Sequence, residues 1–267
     1  LYEVIIINNN SSDSTDAICQ KFIADHAGHH LVYHVETQQG LSYARNAGIK
    51  LSNGEILCYI DDDAIAQSNF IEEIIQAFDK NPQMDGMGGK ILAKFESQIP
   101  AWHNKFTSPP LFSTHDLGEK EKYYLKSQYP IGCNMAVKRS VIDDIGKFNV
   151  KLGRTGKKLL GGEEKDFFQR MKSKNYKIKY IPSVVVQHQI DSYRTDKEFV
   201  EKLSKRMGES KKIFARMNSS VLKESLIELY KFMGTLILAL FFLFRNPSAS
   251  KHLIQFRWKL MTCFFLH

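Results

Sequence analysis

The sequence is poor in cysteine, and its four cysteines (Cys19, Cys58, Cys133 and Cys263) lie far apart along 267 residues. No two of them have the short spacing that marks a structural zinc site. We interpret them as reduced thiols in a cytosolic setting rather than as a disulfide framework. A signal peptide is also not visible, and the chain starts with Leu1, already inside a strand-like run. That start predicts a chain whose beginning is missing.

A nucleic-acid-binding module is not recognisable either, although the formal net charge is +8. The positive residues cluster in the second half, mainly between positions 202 and 216, beside an apolar tail. Basic residues next to apolar ones suit an anionic membrane surface at least as well as nucleic acid. We therefore expect a membrane surface among the partners, and no nucleic acid.

Strand-like and helix-like patterns alternate through the first half of the chain. Such an alternation predicts an α/β fold with a Rossmann-like, mostly parallel sheet that is flanked by helices. The stretch 96–129 has no sustained period, which is typical of a functional or mobile loop. The expected strands are 2–7, 31–35, 56–60, 86–95, 133–137, 177–180 and 184–188, and the expected helices are 15–27, 41–50, 69–78, 139–145 and 163–174.

The character of the chain changes near residue 190, so we predict a main domain at 1–190 and a basic, then apolar, helical extension at 191–267. The segment 226–244 is strongly apolar, but its uninterrupted part, 232–244, is shorter than the roughly 20 residues of a spanning helix. Three interpretations of this segment stay open: a helix in or near the membrane plane, a spanning or re-entrant helix, and a soluble packing helix.

The most informative motif is Asp61-Asp62-Asp63, which directly follows the apolar run 56–60. Three adjacent carboxylates repel one another, so a cation or a ring of donors favours the folded chain. Open α/β sheets bind ligands beyond the carboxyl ends of their strands, where this triplet is expected. Taken alone, the triplet fits a solvated acidic turn equally well.

The triplet is one of four separated segments that carry polar residues where strands end or helices begin. Their order along the chain is what makes the set specific, because each segment alone is a weak signal. They are Val4-Ile5-Ile6-Ile7-Asn8-Asn9-Asn10-Ser11-Ser12-Asp13-Ser14-Thr15, then Gly40-Leu41-Ser42-Tyr43-Ala44-Arg45-Asn46-Ala47-Gly48, then the strand ending in the aspartate triplet, and finally Gly161-Gly162-Glu163-Glu164-Lys165-Asp166 followed by a strand that ends at His188.

Together these segments resemble the family 2 glycosyltransferases of the GT-A fold. The pattern of that family includes a strand followed by Asp-x-x-Ser-x-Asp, a Gly…Ala-Arg-Asn segment, a DXD motif and a Glu-Asp motif, and the resemblance covers roughly residues 1–188. It implies a metal-dependent, inverting enzyme of the hexosyltransferase type. The expected reaction moves a sugar from a nucleotide-diphosphate sugar to a saccharide or lipid-linked acceptor in surface-glycan or polysaccharide synthesis, at the cytoplasmic face of the cell membrane.

The resemblance also implies a Mg²⁺ or Mn²⁺ site with Asp63 as the main ligand, completed by Asp61 and His188. A divalent cation suits the reaction because negative charge develops on the departing diphosphate. His188 is equally interpretable as a hydrogen-bonded histidine at a strand end. The residues implied to bind the nucleotide sugar are Asn8, Asn10, Ser12, Arg45, Asp61 and Asp62.

For the base that accepts the proton of the acceptor hydroxyl, the resemblance points first to Glu164 and second to Glu163. Carboxylates at a helix start also stabilise the helix, so simple capping is the alternative explanation. The segment Gly132-Cys133-Asn134-Met135 resembles the part of the family that lines the acceptor side of the cleft. Asn134 is therefore a candidate acceptor contact.

The chain departs from the family pattern in three places. Asn8 and Glu164 stand where the family usually has Asp, and the central first strand that precedes residue 2 in the family is not in this sequence. Its loss is expected to leave two neighbouring strands without a ladder partner. These departures keep open an inactive, membrane-attached GT-A-like binding or scaffold protein. A nucleotidyltransferase fits less well, because a Gly-rich triphosphate loop with Lys or Arg is not visible.

Overall fold

A computed structural model describes residues 1–154, 161–217 and 220–266. Strands and helices alternate in the first half, as the periodicity predicts, and helices make up the end of the chain. The strands are β1 (Val4–Asn8), β2 (Leu31–Val35), β3 (Ile56–Tyr59), β4 (Ala64–Ala66), β5 (Gly86–Phe95), β6 (Lys122–Tyr123), β7 (Met135–Lys138) and β8 (Ile178–Ile190). The helices are α1 (Thr15–Asp25), α2 (Leu41–Leu51), α3 (Phe70–Lys80), α4 (Ser108–Phe112), α5 (Arg139–Ile145), α6 (Glu163–Ser173), α7 (Lys197–Met217), α8 (Val221–Leu243) and α9 (Pro247–Leu266), with a 3₁₀ helix at Ser192–Thr195.

The main sheet has the order β3-β7-β5-β8-β4, and β6 pairs with β8. The α/β class is confirmed, but the sheet is mixed rather than mostly parallel. β5 and β8 run parallel, whereas β7 lies antiparallel between β3 and β5, and β4 and β6 are antiparallel to β8. A strand parallel to β5 would need a crossover helix that returns the chain to the opposite end of the sheet. β7 instead follows the irregular stretch after β5 and runs antiparallel.

β8 is one long strand, although the sequence predicted two short strands around Pro182. Along the pair of β5 and β8 the register shifts between Gly89 and Lys90, opposite the part of β8 that contains this proline. A proline has no N–H for the ladder, so an irregularity of this kind accommodates it without ending the strand.

Two apolar clusters cover the main sheet and fix the elements that carry the polar motifs. On one side α3 buries Phe70, Ile74 and Phe78, whose spacing of four residues places them on one helix face. On the other side α6 buries Phe167 and Phe168 against β7 and β8. The first turn of α6, which begins with the paired glutamates, is thereby held at a fixed place over the sheet.

β1 and β2 form a separate parallel pair, in register from Val4 with Leu31 to Asn8 with Val35. Among the described strands, none pairs with the other edge of β1 or with the free edge of β3. This agrees with the expectation of two strands that each lack a ladder partner on one side. The side chain of Glu3, just before β1, connects this strand pair to the segment before β3. Its Oε1 accepts hydrogen bonds from the backbone N–H groups of Asn53 (2.6 Å) and Gly54 (3.1 Å).

The three C-terminal helices pack on each other and on the stretch that the sequence left irregular. α9 contributes Phe256 and Leu260 to a buried cluster with Trp102 and Phe112, and α7 adds Val200. The stretch 96–129, which was expected to be a loop, contains a short helix, α4, and a short strand, β6. Within the described residues α8 is the one helix that is long and apolar enough to cross a membrane.

Candidate functional site

Arg45, in the middle of α2, joins three of the predicted motifs. Its Nη1 lies 3.3 Å from Glu163 Oε1, and its Nη2 lies 3.2 Å from Glu164 Oε1 and 3.8 Å from Asp61 Oδ1. The glutamates are 118 and 119 positions away from Arg45 in sequence. The guanidinium is buried, and although burial opposes its charge, the three carboxylates raise the pKa of Arg45 above its ordinary value. We call these four residues the Arg45 cluster.

Two glycines give the Arg45 cluster its shape. A side chain at Gly132 would overlap both Arg45 Nη2 and Glu164 Oε1, so glycine lets the backbone before β7 approach the ion pair without displacing these two side-chain ends. Gly162 precedes α6 with a φ of +115°, a conformation that favours glycine, and it turns the chain so that Glu163 and Glu164 begin the helix.

The two glutamates differ in exposure. Glu163 is 3% exposed, and its Oε2 is buried without a hydrogen-bond partner among the described residues. Burial, together with the neighbouring charge of Glu164, raises the pKa of Glu163 to about 8, against the effect of Arg45. The Glu164 side chain is 20% exposed. Glu164 is therefore the carboxylate that a ligand can reach, and Glu163 holds a proton at neutral pH.

A second group contains Asp63, His188 and Arg194. Asp63 Oδ2 lies 3.1 Å from His188 Nε2 and 3.1 Å from Arg194 Nη1, and Arg194 Nη1 lies 3.3 Å from His188 Nε2. The other ring nitrogen of His188, Nδ1, donates a hydrogen bond of 2.6 Å to the carbonyl of Phe112. Burial raises the pKa of Asp63, but the contacts with His188 and Arg194 outweigh it and hold that pKa below its usual value.

This second group is the part of the site that could hold a metal ion. Asp63 Oδ1 is buried without a hydrogen-bond partner among the described residues, and the bond from Nδ1 to a carbonyl orients His188 as it does in many metal sites. Within the described ranges, however, no three His, Cys, Asp or Glu side chains are arranged as a metal site. The structure brings Asp63 and His188 together, whereas Asp61 turns to Arg45.

Some polar groups in the turn after β1 already make hydrogen bonds within the protein. Asn8 is buried; its Nδ2 donates to Tyr33 Oη (2.8 Å), and its Oδ1 accepts the backbone N–H of Ser11 (2.9 Å). Asn10, with a φ of +57°, and Ser12 are exposed. Asp62 is exposed as well. The nucleotide contacts predicted for these four residues stay predictions.

Asn134 is 1% exposed and lies inside the sheet. Its Nδ2 donates to the carbonyls of Lys90 and Val184, both at 3.0 Å, and so links β5 to β8. The structure therefore gives its amide donors a role in holding strands together. The predicted contact with an acceptor stays a prediction.

The first turn of α6 also contacts the C-terminal helices. The backbone N–H of Gly161 donates to Ser210 Oγ on α7 (3.2 Å), and Lys165 Nζ lies 2.9 Å from Glu224 Oε1 on α8. The ring of Phe214, also on α7, lies beneath the Lys165 ammonium at 4.1 Å. The segment that positions the glutamates is thus attached to both α7 and α8.

A sequence model described as Glycosyl transferase family 2 matches residues 1–146, more than half of the chain. The chain belongs to the family 2 glycosyltransferases. The resemblance found in its motifs is thereby confirmed. Within this glycosyltransferase the roles of single residues remain predictions, because a match of this kind does not test them.

Two relatives of this glycosyltransferase come from Haloferax volcanii. The glucosyl-dolichyl phosphate glucuronosyltransferase is 25% identical over 216 residues, which cover 79% of this chain and 66% of the relative. Glycosyltransferase AglE is 26% identical over 147 residues, which cover 55% of this chain and 45% of the relative. The aligned part of the chain thus spans just under two thirds and less than half of these two proteins.

Among solved structures, the mannosyltransferase PcManGT from Pyrobaculum calidifontis, in complex with GDP-Man and Mn²⁺, has a TM-score of 0.59. The match covers 97% of this chain and 77% of that chain at 14% identity. At this identity the similarity concerns the fold alone, and it confirms the GT-A architecture for this glycosyltransferase.

Proposed function

We propose that the protein transfers a sugar from a nucleotide-diphosphate sugar to a saccharide or lipid-linked acceptor in the synthesis of a glycan or polysaccharide. Family membership supports a glycosyltransferase. The observation that carries the proposal is the Arg45 cluster, which places Asp61, from the DXD motif, beside the paired glutamates of α6. A donor and an acceptor can react only when they are bound next to each other, so the residues that bind the donor and those that activate the acceptor must lie close together. The Arg45 cluster meets this requirement.

In the proposed reaction Glu164 is the general base, because it is the more accessible of the two glutamates in the Arg45 cluster. The acceptor oxygen attacks the anomeric carbon from the side opposite the diphosphate, and its proton passes to Glu164. The bond between the anomeric carbon and the diphosphate oxygen breaks as the new bond forms, so the configuration at that carbon inverts. Arg45 and the protonated Glu163 hold the base in position.

Asp63 and His188 fit a Mg²⁺ or Mn²⁺ ion, with Asp61 close by on the same turn. The free Oδ1 of Asp63 supports this assignment, and two protein ligands suffice when water and phosphate oxygens complete the coordination. Bound there, the cation would stabilise the negative charge of the departing diphosphate. The Mn²⁺ ion in the complex of the mannosyltransferase PcManGT belongs to that protein and supports the assignment by analogy of fold.

We also propose that α8 places the protein on a membrane, at its cytoplasmic face. Glu228, Thr235 and Ala239 are buried on the inner side of α8. The outer side exposes large apolar side chains three or four positions apart, a stripe along one helix face. The stripe consists of Leu222, Leu226, Leu229, Tyr230, Met233, Ile237, Leu240, Phe241 and Phe244. A helix that packs along one side and is apolar along the other favours contact in the membrane plane over spanning.

Donor cleavage tests the catalytic proposal. The purified protein is incubated with a panel of nucleotide sugars and Mn²⁺, and release of nucleoside diphosphate is measured for wild type, Asp63→Asn and Glu164→Gln. We expect Asp63→Asn to abolish release and Glu164→Gln to slow release by at least about 100-fold, since a general base that activates the attacking water contributes this much. Asp143→Asn, an exposed carboxylate on α5, is the matched control and should change nothing. Release that is absent with every donor, or unaffected by Asp63→Asn, contradicts the proposal.

Vesicle sedimentation tests the membrane proposal. We expect wild type to sediment with vesicles that contain anionic lipid, and the double variant Ile237→Glu/Phe241→Glu to remain in the supernatant, because two charges in the stripe oppose burial among lipids. Ile18→Glu, which places the same charge at an exposed apolar position on α1, should bind as wild type does. Equal binding of the stripe variant and wild type would rule out α8 as the contact.

A further inference from the structure

Arg194 is a charged residue at the centre of the site that no motif predicted. It lies in the 3₁₀ helix after β8, and 13% of its side chain is exposed. Its Nη1 lies within 3.1 Å of Asp63 Oδ2 and 3.3 Å of His188 Nε2. Because His188 donates from Nδ1 to the carbonyl of Phe112, its neutral form presents a lone pair at Nε2. Arg194 thus places one cationic nitrogen next to both side chains that are proposed to hold the metal.

Two polar atoms of this group remain buried without a partner among the described residues: Asp63 Oδ1 and Arg194 Nε. One is an acceptor that lacks a cation or donor, and the other is a donor that lacks an acceptor. Buried polar groups are rarely left in this state unless a ligand completes them. A divalent cation on a diphosphate would complete both, because the cation suits the carboxylate oxygen and the diphosphate suits the guanidinium N–H.

We propose that Arg194 is a diphosphate-binding residue that occupies the cation position of Asp63 and His188 until a divalent cation arrives with the diphosphate. This inference rests on the proposed function, since it assumes that Asp63 and His188 hold the metal. When the metal binds, its charge replaces that of the guanidinium at the two acceptors. The guanidinium then turns to the diphosphate oxygens, whose geometry it matches with paired N–H groups.

The location of Arg194 allows this exchange. The residue lies in a single 3₁₀ turn, Ser192–Thr195, between the end of β8 and the start of α7. The turn is held by a bond from the Arg194 backbone N–H to the carbonyl of Asp191 and by one from the Ser192 N–H to Glu96. Turning the guanidinium breaks its contacts with Asp63, His188 and the carbonyl of Gln189 (3.5 Å), but these side-chain contacts are not part of the β8 ladder, on which His188 is fixed.

The test measures binding rather than turnover. Free Mn²⁺ is titrated by electron paramagnetic resonance against wild type, Arg194→Gln, Arg194→Lys, Asp63→Asn and the surface control Arg216→Gln. Binding of UDP, GDP and inorganic pyrophosphate in the presence of Mn²⁺ is measured by calorimetry. For Arg194→Gln we expect Mn²⁺ alone to bind at least about threefold more tightly, because no cation competes for Asp63. We expect the diphosphate probes to bind about tenfold more weakly, because the forked contact is lost.

The remaining variants make the result decisive. Arg194→Lys should bind Mn²⁺ alone as wild type does and lose about threefold in diphosphate affinity, since an ammonium keeps the charge but not the fork. If Arg194→Gln does not fold, the threefold loss of diphosphate affinity in Arg194→Lys is the test by itself. Diphosphate affinity unchanged in the folded Arg194 variants, or wild type that binds none of the three probes, overturns the inference. If Asp63→Asn abolishes Mn²⁺ binding while Arg194→Gln matches wild type, Arg194 has no such role and the metal site stands. If Asp63→Asn binds Mn²⁺ normally, the proposed metal site itself fails.

Discussion

Replacing Arg45 by methionine removes one buried cation from among three carboxylates while keeping most of the side-chain volume. The contacts of 3.2, 3.3 and 3.8 Å show which groups lose their partner. Removing one member of a buried ion pair costs about 3–5 kcal/mol, because the remaining charge is left uncompensated. Glu163 is mainly protonated at neutral pH, with a pKa of about 8, and Asp61 is 37% exposed. We therefore expect the lower end of that range at pH 7.

The size of the effect should depend on pH. In Arg45→Met, Glu163 and Asp61 lose the cation that favours their charged forms, so their pKa values rise further in the folded state. Lowering the pH then neutralises them, and we expect the loss of stability to shrink from about 3 kcal/mol at pH 7 to about 1–2 kcal/mol at pH 5.

Urea unfolding at both pH values measures this prediction. Arg139→Met is the matched control, because the Arg139 guanidinium donates to the carbonyls of Ser52 and Gly54 and is not paired with a carboxylate in the described structure. Its cost should be equal at pH 7 and pH 5. A loss below about 1 kcal/mol for Arg45→Met at pH 7, or a loss that does not fall with pH, would refute this account of the Arg45 cluster.

Three further variants test neighbouring parts of the site. Glu163 binds its proton more tightly in the folded chain (pKa about 8) than at its usual value of 4.5, so its stabilising effect is complete below pH 4.5 and is lost as the pH rises through 8. Glu163→Gln should therefore remove up to about 1.4 kcal/mol per pH unit from the slope of stability between these values; an unchanged slope in urea unfolding would place the proton elsewhere. Gly132→Ala should displace Arg45 and Glu164 and strongly reduce sugar transfer while Mn²⁺ binding persists, and full activity would contradict the close approach. Asn134→Leu removes one donor from each of two strand carbonyls and should cost about 1–3 kcal/mol with an unchanged KM for the acceptor, whereas a raised KM with unchanged stability would favour the acceptor contact instead.

The sequence predicted which segments meet because each motif lies where an apolar strand ends or a helix begins. An α/β architecture collects such ends at one edge of the sheet, whatever their distance along the chain. The contacts of Arg45 with Asp61, Glu163 and Glu164 follow from this rule. The contact of Asp63 with His188 follows from it too, since β4 begins directly after the aspartates and pairs with the end of β8.

Other features depend on information that no local pattern carries. The direction of β7 is set by a connection without periodicity, so the sequence could not show that the sheet is mixed. Arg194 lies in one 3₁₀ turn, where neither spacing nor composition marks it. The hydrogen bond of Asn8 with Tyr33 requires the register of β1 against β2, and that register is fixed by packing. The amide donors of Asn134 find two carbonyls only once three strands are assembled.

The attachment of α6 to the C-terminal helices has a mechanical consequence. Gly161, two residues before Glu163, is bonded to α7, and Lys165, directly after Glu164, is paired with α8. If α8 rests on a bilayer, as we propose, these contacts link the position of the glutamates to that of the membrane-bound helix. Dissolving the membrane in detergent would then alter turnover with no change in any group that touches the sugar. The bilayer would then influence the activity of such an enzyme as well as determine its location.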